Sequence, residues 1–213
     1  MHSKKRLLRK SRLYVIIDKN TVKNKGPIAG IANKIKASRV DILQYRNKKS
    51  EKRIILQEAQ ALSRLFANNK TIFIINDYVD IAKIIGSDGI HIGQGDISIE
   101  TVRRILGKDK IIGVSCHSLK QAIKAQNQGA DYVSIGPIFP TPTKPEYKAV
   151  GLKLIKKIKG KLKIPFFAIG GINKNNINEI LAEGAEGVAI CRAVCQNKDI
   201  KSAVKNLKTA LTL

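Results

Sequence analysis

Short runs rich in Ile, Val and Phe recur along the chain, each followed by a longer segment whose apolar residues return every three or four positions. The first kind reads as buried strand and the second as amphipathic helix. The pattern predicts strands over 12–18, 40–46, 71–77, 89–93, 111–117, 132–139, 165–172 and 187–194. It predicts helices near 27–37, 50–69, 78–86, 98–107, 118–129, 151–160, 174–184 and 199–211. Ser98, Ser118 and Asn173 stand where N-caps are expected, and Gly86, Gly107, Gly129 and Gly184 where helices should stop. Eight strands alternating with eight helices predict an α/β chain folded as one (β/α)8 TIM barrel. A doubly wound open sheet is the competitor, but no GxGxxG follows the first strand, where Asp18 leads into KNTVKNKG. Residues 12–213 form the barrel in this reading, and residues 1–11 a basic arm expected to be flexible.

Composition narrows the setting. At 213 residues the chain suits one domain with a substantial core. No apolar run approaches the roughly 18 residues of a membrane span, and LYVII before Asp18 is too short for a signal-peptide core. Cys116, Cys191 and Cys195 lack CxxC spacing, so neither a disulfide framework nor a structural zinc site is expected, and a cytoplasmic location is. The net charge of +24 admits nucleic acid as a partner. The lysines are nevertheless scattered along helix faces, dense only at 4–12 and 153–163, and with 5% aromatics and no Trp, base-stacking platforms are poorly supplied. The balance favours a solvated basic surface with a preference for anionic ligands and no specific nucleic acid. A nonenzymatic RNA-binding protein is the remote alternative. Nothing fixes the oligomeric state, and a homo-oligomer stays open.

In such a barrel the chemistry gathers at the C-terminal ends of the strands. Strand two ends in Gln44-Tyr45-Arg46-Asn47-Lys48, and a side-chain period of two puts Gln44, Arg46 and Lys48 on one face. An amide, a guanidinium and an ammonium pointing together suit a multiply charged phosphate group, although Arg46 and Lys48 taken alone are also ordinary loop charges. Strand three ends in Asn76-Asp77, and strand four leads through Gln94 to Asp96. Helix capping would account for either aspartate singly. The pair beside a basic face favours Mg²⁺, which takes one or two carboxylates together with water and phosphate oxygens. Strand five offers Ser115, Cys116 and His117. Ser115 reads as a hydrogen-bonding ligand residue, Cys116 as packing, and His91 of strand four as a satisfied structural histidine. The Gly170-Gly171 pair after strand seven, with Cys191-Arg192 after strand eight, suits a second anion site. Between these anion sites lies a stiff loop, since four of the six prolines fall within GPIFPTPTKP, which also carries Thr141, Thr143 and Lys144. Two anion sites, a carboxylate pair and no triad point to joining two phosphorylated substrates with loss of diphosphate.

The stretches QYRNK (44–48), IIND (74–77), DGIHIGQGD (88–96), GVSCHS (113–118), GADYVSIGPIFPTPTK (129–144), AIGGI (168–172) and GVAICRA (187–193) together resemble the thiamine-phosphate synthase (thiamine-phosphate pyrophosphorylase) family. The resemblance covers nearly all of the chain beyond about residue 12. It implies a Mg²⁺-assisted transferase that couples 4-amino-2-methyl-5-pyrimidinylmethyl diphosphate with a thiazole phosphate by dissociative substitution. By that resemblance Gln44, Tyr45, Arg46, Asn47, Lys48, Asn76, Ser115 and Lys144 bind the pyrimidine diphosphate. Asp77 and Asp96 hold the metal. Thr141, Pro142, Thr143, Gly171, Cys191 and Arg192 bind the thiazole phosphate, and Lys144, Ser115 and Arg46 act on the departing group. Arg192 departs from the family pattern, which usually has Ser there. A thiazole tautomerase on the same barrel is the near alternative, and His117 would interest it.

Overall fold

The structure, a computed structural model, describes residues 3–212. Strands β1 (Leu13–Asp18), β2 (Ile42–Arg46), β3 (Ile72–Asn76), β4 (Gly89–Ile92), β5 (Ile111–Cys116), β6 (Tyr132–Ile135), β7 (Phe166–Ile169) and β8 (Gly187–Ile190) pair in sequence order, all parallel, and β8 closes on β1. This is the expected (β/α)8 barrel. Helix α1 (Ser3–Leu8) precedes β1, and α2 (Lys19–Val22) and α3 (Ile28–Ala37) follow it. Further round lie α4 (Lys52–Phe66), α5 (Val79–Ile84), α6 (Ile99–Leu106), α7 (Leu119–Asn127), α8 (Leu152–Ile158) and α9 (Ile177–Ala182). After β8 come α10 (Arg192–Cys195) and α11 (Ile200–Thr212).

Most boundaries follow the pattern. Ser98 and Ser118 cap α6 and α7 by accepting the N–H of Thr101 and Gln121, and the four helix-ending glycines take φ from 64° to 97°. Asn173 is displaced from the role expected of it. Helix α9 starts at Ile177 after Asn176, while the Asn173 side chain turns its own loop by accepting the N–H of Asn175. Strand β6 stops at Ile135 and not at 139, because Pro137 has no N–H for the ladder. The chain still runs beside β7, with Ile138 N–H on Ile169 O and Phe139 N–H on Gly170 O. Strand β8 stops at Ile190, and the residues read as its continuation turn into α10.

The alternation of side chains builds two separate cores. Outward-facing Val15, Ile17, Leu43, Phe73, Ile75, Ile112 and Val133 pack under the helices. Inward-facing Tyr14, Ile16, Ile42, Ile72, Ile74, Ile111, Tyr132 and Phe167 fill the barrel itself. Leu8 joins this inner core at 2% exposure, so α1 covers the N-terminal end of the barrel. Lys4 Nζ donates to Asn69 O and Thr71 O and pairs with Asp88, and Lys5 pairs with Asp131. The segment read as a flexible basic arm therefore carries a tied helix; Met1 and His2 lie outside the described residues. With only Leu7 and Leu8 apolar in a basic stretch, periodicity had nothing to register.

Three rings meet edge to face inside the barrel: Tyr14, Tyr132 and Phe167, with centroids 5.5 to 5.8 Å apart. The space for Tyr132 exists because Gly113 has no side chain, since a Cβ there would lie 2.0 Å from the ring. Gly113→Ala should therefore destabilise the fold by about 1–3 kcal/mol or more, the usual cost of overpacking. Urea unfolding checks this, and an unchanged midpoint would mean that the ring yields without cost.

Candidate active site

Along each strand the inward positions change character toward the C-terminal end. They run Tyr14, Ile16, Asp18 on β1; Ile42, Gln44, Arg46 on β2; Ile72, Ile74, Asn76 on β3; and Ile111, Gly113, Ser115, His117 through β5. The apolar members fill the barrel, and the polar ones surround a cavity of about 370 Å³ above them. Gln44, Arg46, Asn76, Ser115, Thr141, Pro142, Thr143, Lys144, Gly171, Cys191 and Arg192 all line it. The alternation that brings Gln44 and Arg46 inward turns Tyr45 and Asn47 out. Tyr45 donates to Glu58 of α4, and Asn47 Nδ2 contacts Tyr45, Ser50 and Glu58. These two brace the strand from behind and are not lining residues.

The floor is a row of buried hydrogen bonds. Gln44 Nε2 donates to the Tyr14 hydroxyl, which lies 2.8 Å from that of Tyr132. Tyr132 lies 3.0 Å from His91 Nδ1, and His91 Nε2 lies 2.9 Å from Ser115 Oγ and 3.3 Å from Ser134 Oγ. His91 is thus a satisfied histidine that also forms part of the cavity wall. Burial, then the charge of Lys144, pushes its pKa down to about 3, so the ring is neutral at pH 7. Cys116 is buried in the outer core, and burial pushes its thiol up to about 12, as packing and not nucleophilic chemistry requires.

Above the floor the charges interlock. Arg46 is ion-paired with Asp18, an inward carboxylate that sequence reasoning missed. Its signal was available, because Asp18 continues the Tyr14, Ile16 face. Lys48 pairs with Asp77 at 2.7 Å. Burial raises the pKa of Asp77, Lys48 opposes that shift, and the neighbouring Asp96 carboxylate adds to it. Neither aspartate caps a helix: α5 has no side-chain cap, α6 is capped by Ser98, and Asp96 instead accepts the N–H of Gly93 at 2.6 Å. Among the described residues no group of three or more His, Cys, Asp or Glu side chains could hold a metal alone. Two adjacent carboxylates fit Mg²⁺ whose remaining ligands are water and substrate phosphate oxygens. Asn76 lines the cavity, and its Nδ2 is buried without a hydrogen-bond partner. Lys144 is half-buried, and burial followed by Arg46 and Lys48 lowers its pKa.

On the other side, Gly170 and Gly171 have φ of 101° and 66°, and a Cβ on them would lie 2.4 Å from Pro137 and 2.6 Å from Phe139. Close passage of the proline-rich loop is what requires this pair. Arg192 opens α10, lines the cavity, and makes no ion pair among the described residues. His117 also lines the cavity, with Nδ1 at 2.5 Å from Gly136 O and its ring stacked on Tyr147.

A family profile described as thiamine monophosphate synthase matches residues 13–194. The chain belongs to the thiamine monophosphate synthase family. Thiamine-phosphate synthase from Shouchella clausii is 41% identical over 81% of this chain and 83% of its own length. That from Methanosarcina barkeri is 38% identical over 95% and 91%. A solved thiamine phosphate pyrophosphorylase from Pyrococcus furiosus superposes with a TM-score of 0.87 at 32% identity, covering 97% of this chain and 98% of that one. Family members of this kind are enzymes, and this one is a transferase. No helix among the described residues is long and apolar enough to cross a membrane.

The buried His91 has a pH signature. Between about pH 6.5 and pH 3 the unfolded state binds a proton on this residue and the folded state does not, so stability falls as pH falls through that window. The Tm of the wild type should fall from pH 7 to pH 4, and His91→Asn should flatten that part of the curve of Tm against pH. Parallel curves would assign the loss to carboxylates.

Proposed function

We propose that the cavity couples 4-amino-2-methyl-5-pyrimidinylmethyl diphosphate with 4-methyl-5-(2-phosphoethyl)thiazole to give thiamine phosphate and diphosphate, or with its carboxylated form to give the same products and carbon dioxide. Family membership supports the reaction. The observation that carries the assignment of residues is that Arg46, Lys144, Asn76 and Ser115 line one cavity. Lys48, Asp77 and Asp96 are not lining residues, but Lys48 and Asp77 lie close enough to act on the charge of Lys144, with Asp96 beside Asp77. Thr141, Thr143, Gly171, Cys191 and Arg192 line the same cavity. The first set takes the diphosphate, and the second takes the thiazole phosphate.

In this reading the methylene–oxygen bond of the pyrimidine substrate breaks first. The diphosphate leaves with the electron pair, and the thiazole nitrogen lone pair then forms the new carbon–nitrogen bond. Charge accumulates on the departing oxygens, so fixed cations aimed there stabilise the transition state more than the ground state. Lys144 and Arg46 supply that charge, Ser115 and Asn76 donate hydrogen bonds, and Gln44 orients the ring above the hydroxyl row. Asp77 and Asp96 would hold Mg²⁺, which supplies further neutralisation of the diphosphate when bound. Lys48, ion-paired with Asp77 here, would add a further cation for the diphosphate.

A tautomerase has no use for the carboxylate pair and the cation set, and the His117 that would interest it is engaged by Gly136 and Tyr147. The deciding assay mixes both substrates with purified chain and Mg²⁺ and follows release of diphosphate. No release, with both substrates shown to bind, removes the synthase reading. Asp96→Asn should shift the Mg²⁺ titration to higher concentration with the fold intact, and an unmoved titration would exclude this carboxylate from the metal site. Lys144→Ala should lower kcat by about 100-fold or more, the scale for one transition-state charge contact. A wild-type rate would make Lys144 ordinary loop charge.

A further inference from the structure

We propose that Tyr147 is a positioning residue that holds the Lys144 ammonium at the cavity through a clamp of three groups, His117, Tyr147 and Lys144. The proposal rests on the role given to Lys144 above.

The loop between β6 and α8 is tied at its two ends. Ile138 N–H bonds Ile169 O, and Val150 and Gly151 N–H return to Pro137 O and Ile138 O. Between these staples most of the residues from Thr141 to Ala149 are exposed or half-exposed, yet Lys144 is turned inward to line the cavity. It enters a region already holding the charges of Arg46 and Lys48, both of which oppose a third cation more strongly than Asp77 and Glu146 favour it. Something must keep it there before a diphosphate arrives.

The Tyr147 ring meets that need. Lys144 Nζ lies 5.5 Å from the ring centroid, within the range of a cation–π contact. Tyr147 N–H bonds Lys144 O at 3.3 Å, a turn that brings ring and ammonium together. Tyr147 is 41% exposed, and its ring stacks on His117, with centroids 4.6 Å apart and planes 18° from parallel. His117 is in turn fixed just beyond β5, by Nδ1 on Gly136 O and by its backbone N–H on Gln121 Oε1. Position is thus passed from the barrel wall to the imidazole, to the phenol ring and to the ammonium. A π face suits this task better than a carboxylate. It attracts the cation without neutralising it, so Lys144 need not give up a partner to meet an anionic leaving group. Among the described residues the Tyr147 hydroxyl has no hydrogen-bond partner, so the ring alone carries the effect.

The test is a double-mutant cycle on the full chain, with kcat and KM measured for both substrates. Tyr147→Phe should behave as wild type. Tyr147→Leu should lower kcat about tenfold, the order expected for a partly buried cation–π contact. In a Lys144→Ala background Tyr147→Leu should cost nothing more. An unchanged kcat in Tyr147→Leu, with Lys144→Ala impaired, overturns the clamp while leaving the role of Lys144 standing. Equal losses in both backgrounds overturn it too, because the ring would then be supporting the loop and not the lysine. A wild-type rate in Lys144→Ala itself instead overturns the role on which the clamp rests.

Discussion

The hydrogen-bonded row from Gln44 through Tyr14, Tyr132 and His91 to Ser115 sets the level at which this barrel changes from hydrocarbon to polar cavity. Two phenols and an imidazole buried this deeply would each cost on the order of 1–3 kcal/mol if left unpaired. Here every one is bonded on both sides, so the row closes over the inner core as a satisfied layer. Its position also fixes the geometry above it. Gln44 and Ser115 are its two ends, and both open onto the cavity. Gly113 leaves room for the Tyr132 ring, and the inner core below keeps that ring upright. Loss of one link would unpair a group on each side of the gap.

Above that layer the chain concentrates positive charge and then balances it incompletely. Arg46 has Asp18, and Lys48 has Asp77, but Lys144 and Arg192 have no carboxylate in contact among the described residues. Such a region is electrostatically unfinished in the way an anion-binding site should be, because an incoming phosphate relieves repulsion as well as forming hydrogen bonds. The net charge of +24 belongs mostly to the outer helices and extends the same bias outward, raising the local concentration of phosphorylated substrates.

Much of this was legible from side-chain periodicity. The strand count, the closed parallel barrel and the inward placement of Gln44 and Arg46 follow from alternation and from strand–helix rhythm. So did the places where helices stop, since the left-handed turn that ends them is best tolerated by glycine. What escaped was set by contacts distant in sequence. Asp18 looked like a strand end until Arg46 came beside it from the next strand. Tyr45 and Asn47 fall inside a binding motif, yet the pleat turns them toward Glu58. Helix α1 depends on Leu8 finding the open end of the barrel, which no local pattern encodes. Tyr147 sits in a proline-rich loop where only the return of the chain past β5 reveals its partner.

The glycine pair after β7 has a further meaning. Gly170 and Gly171 are shaped against Pro137 and Phe139, so the strand-seven turn and the proline-rich loop are two halves of one joint. For anyone recombining barrels of this family, the segments are not independent modules. A loop grafted from a relative should fit only when its own version of AIGGI travels with it. The unit of exchange is therefore the β6–β7 pair with both of its upper turns.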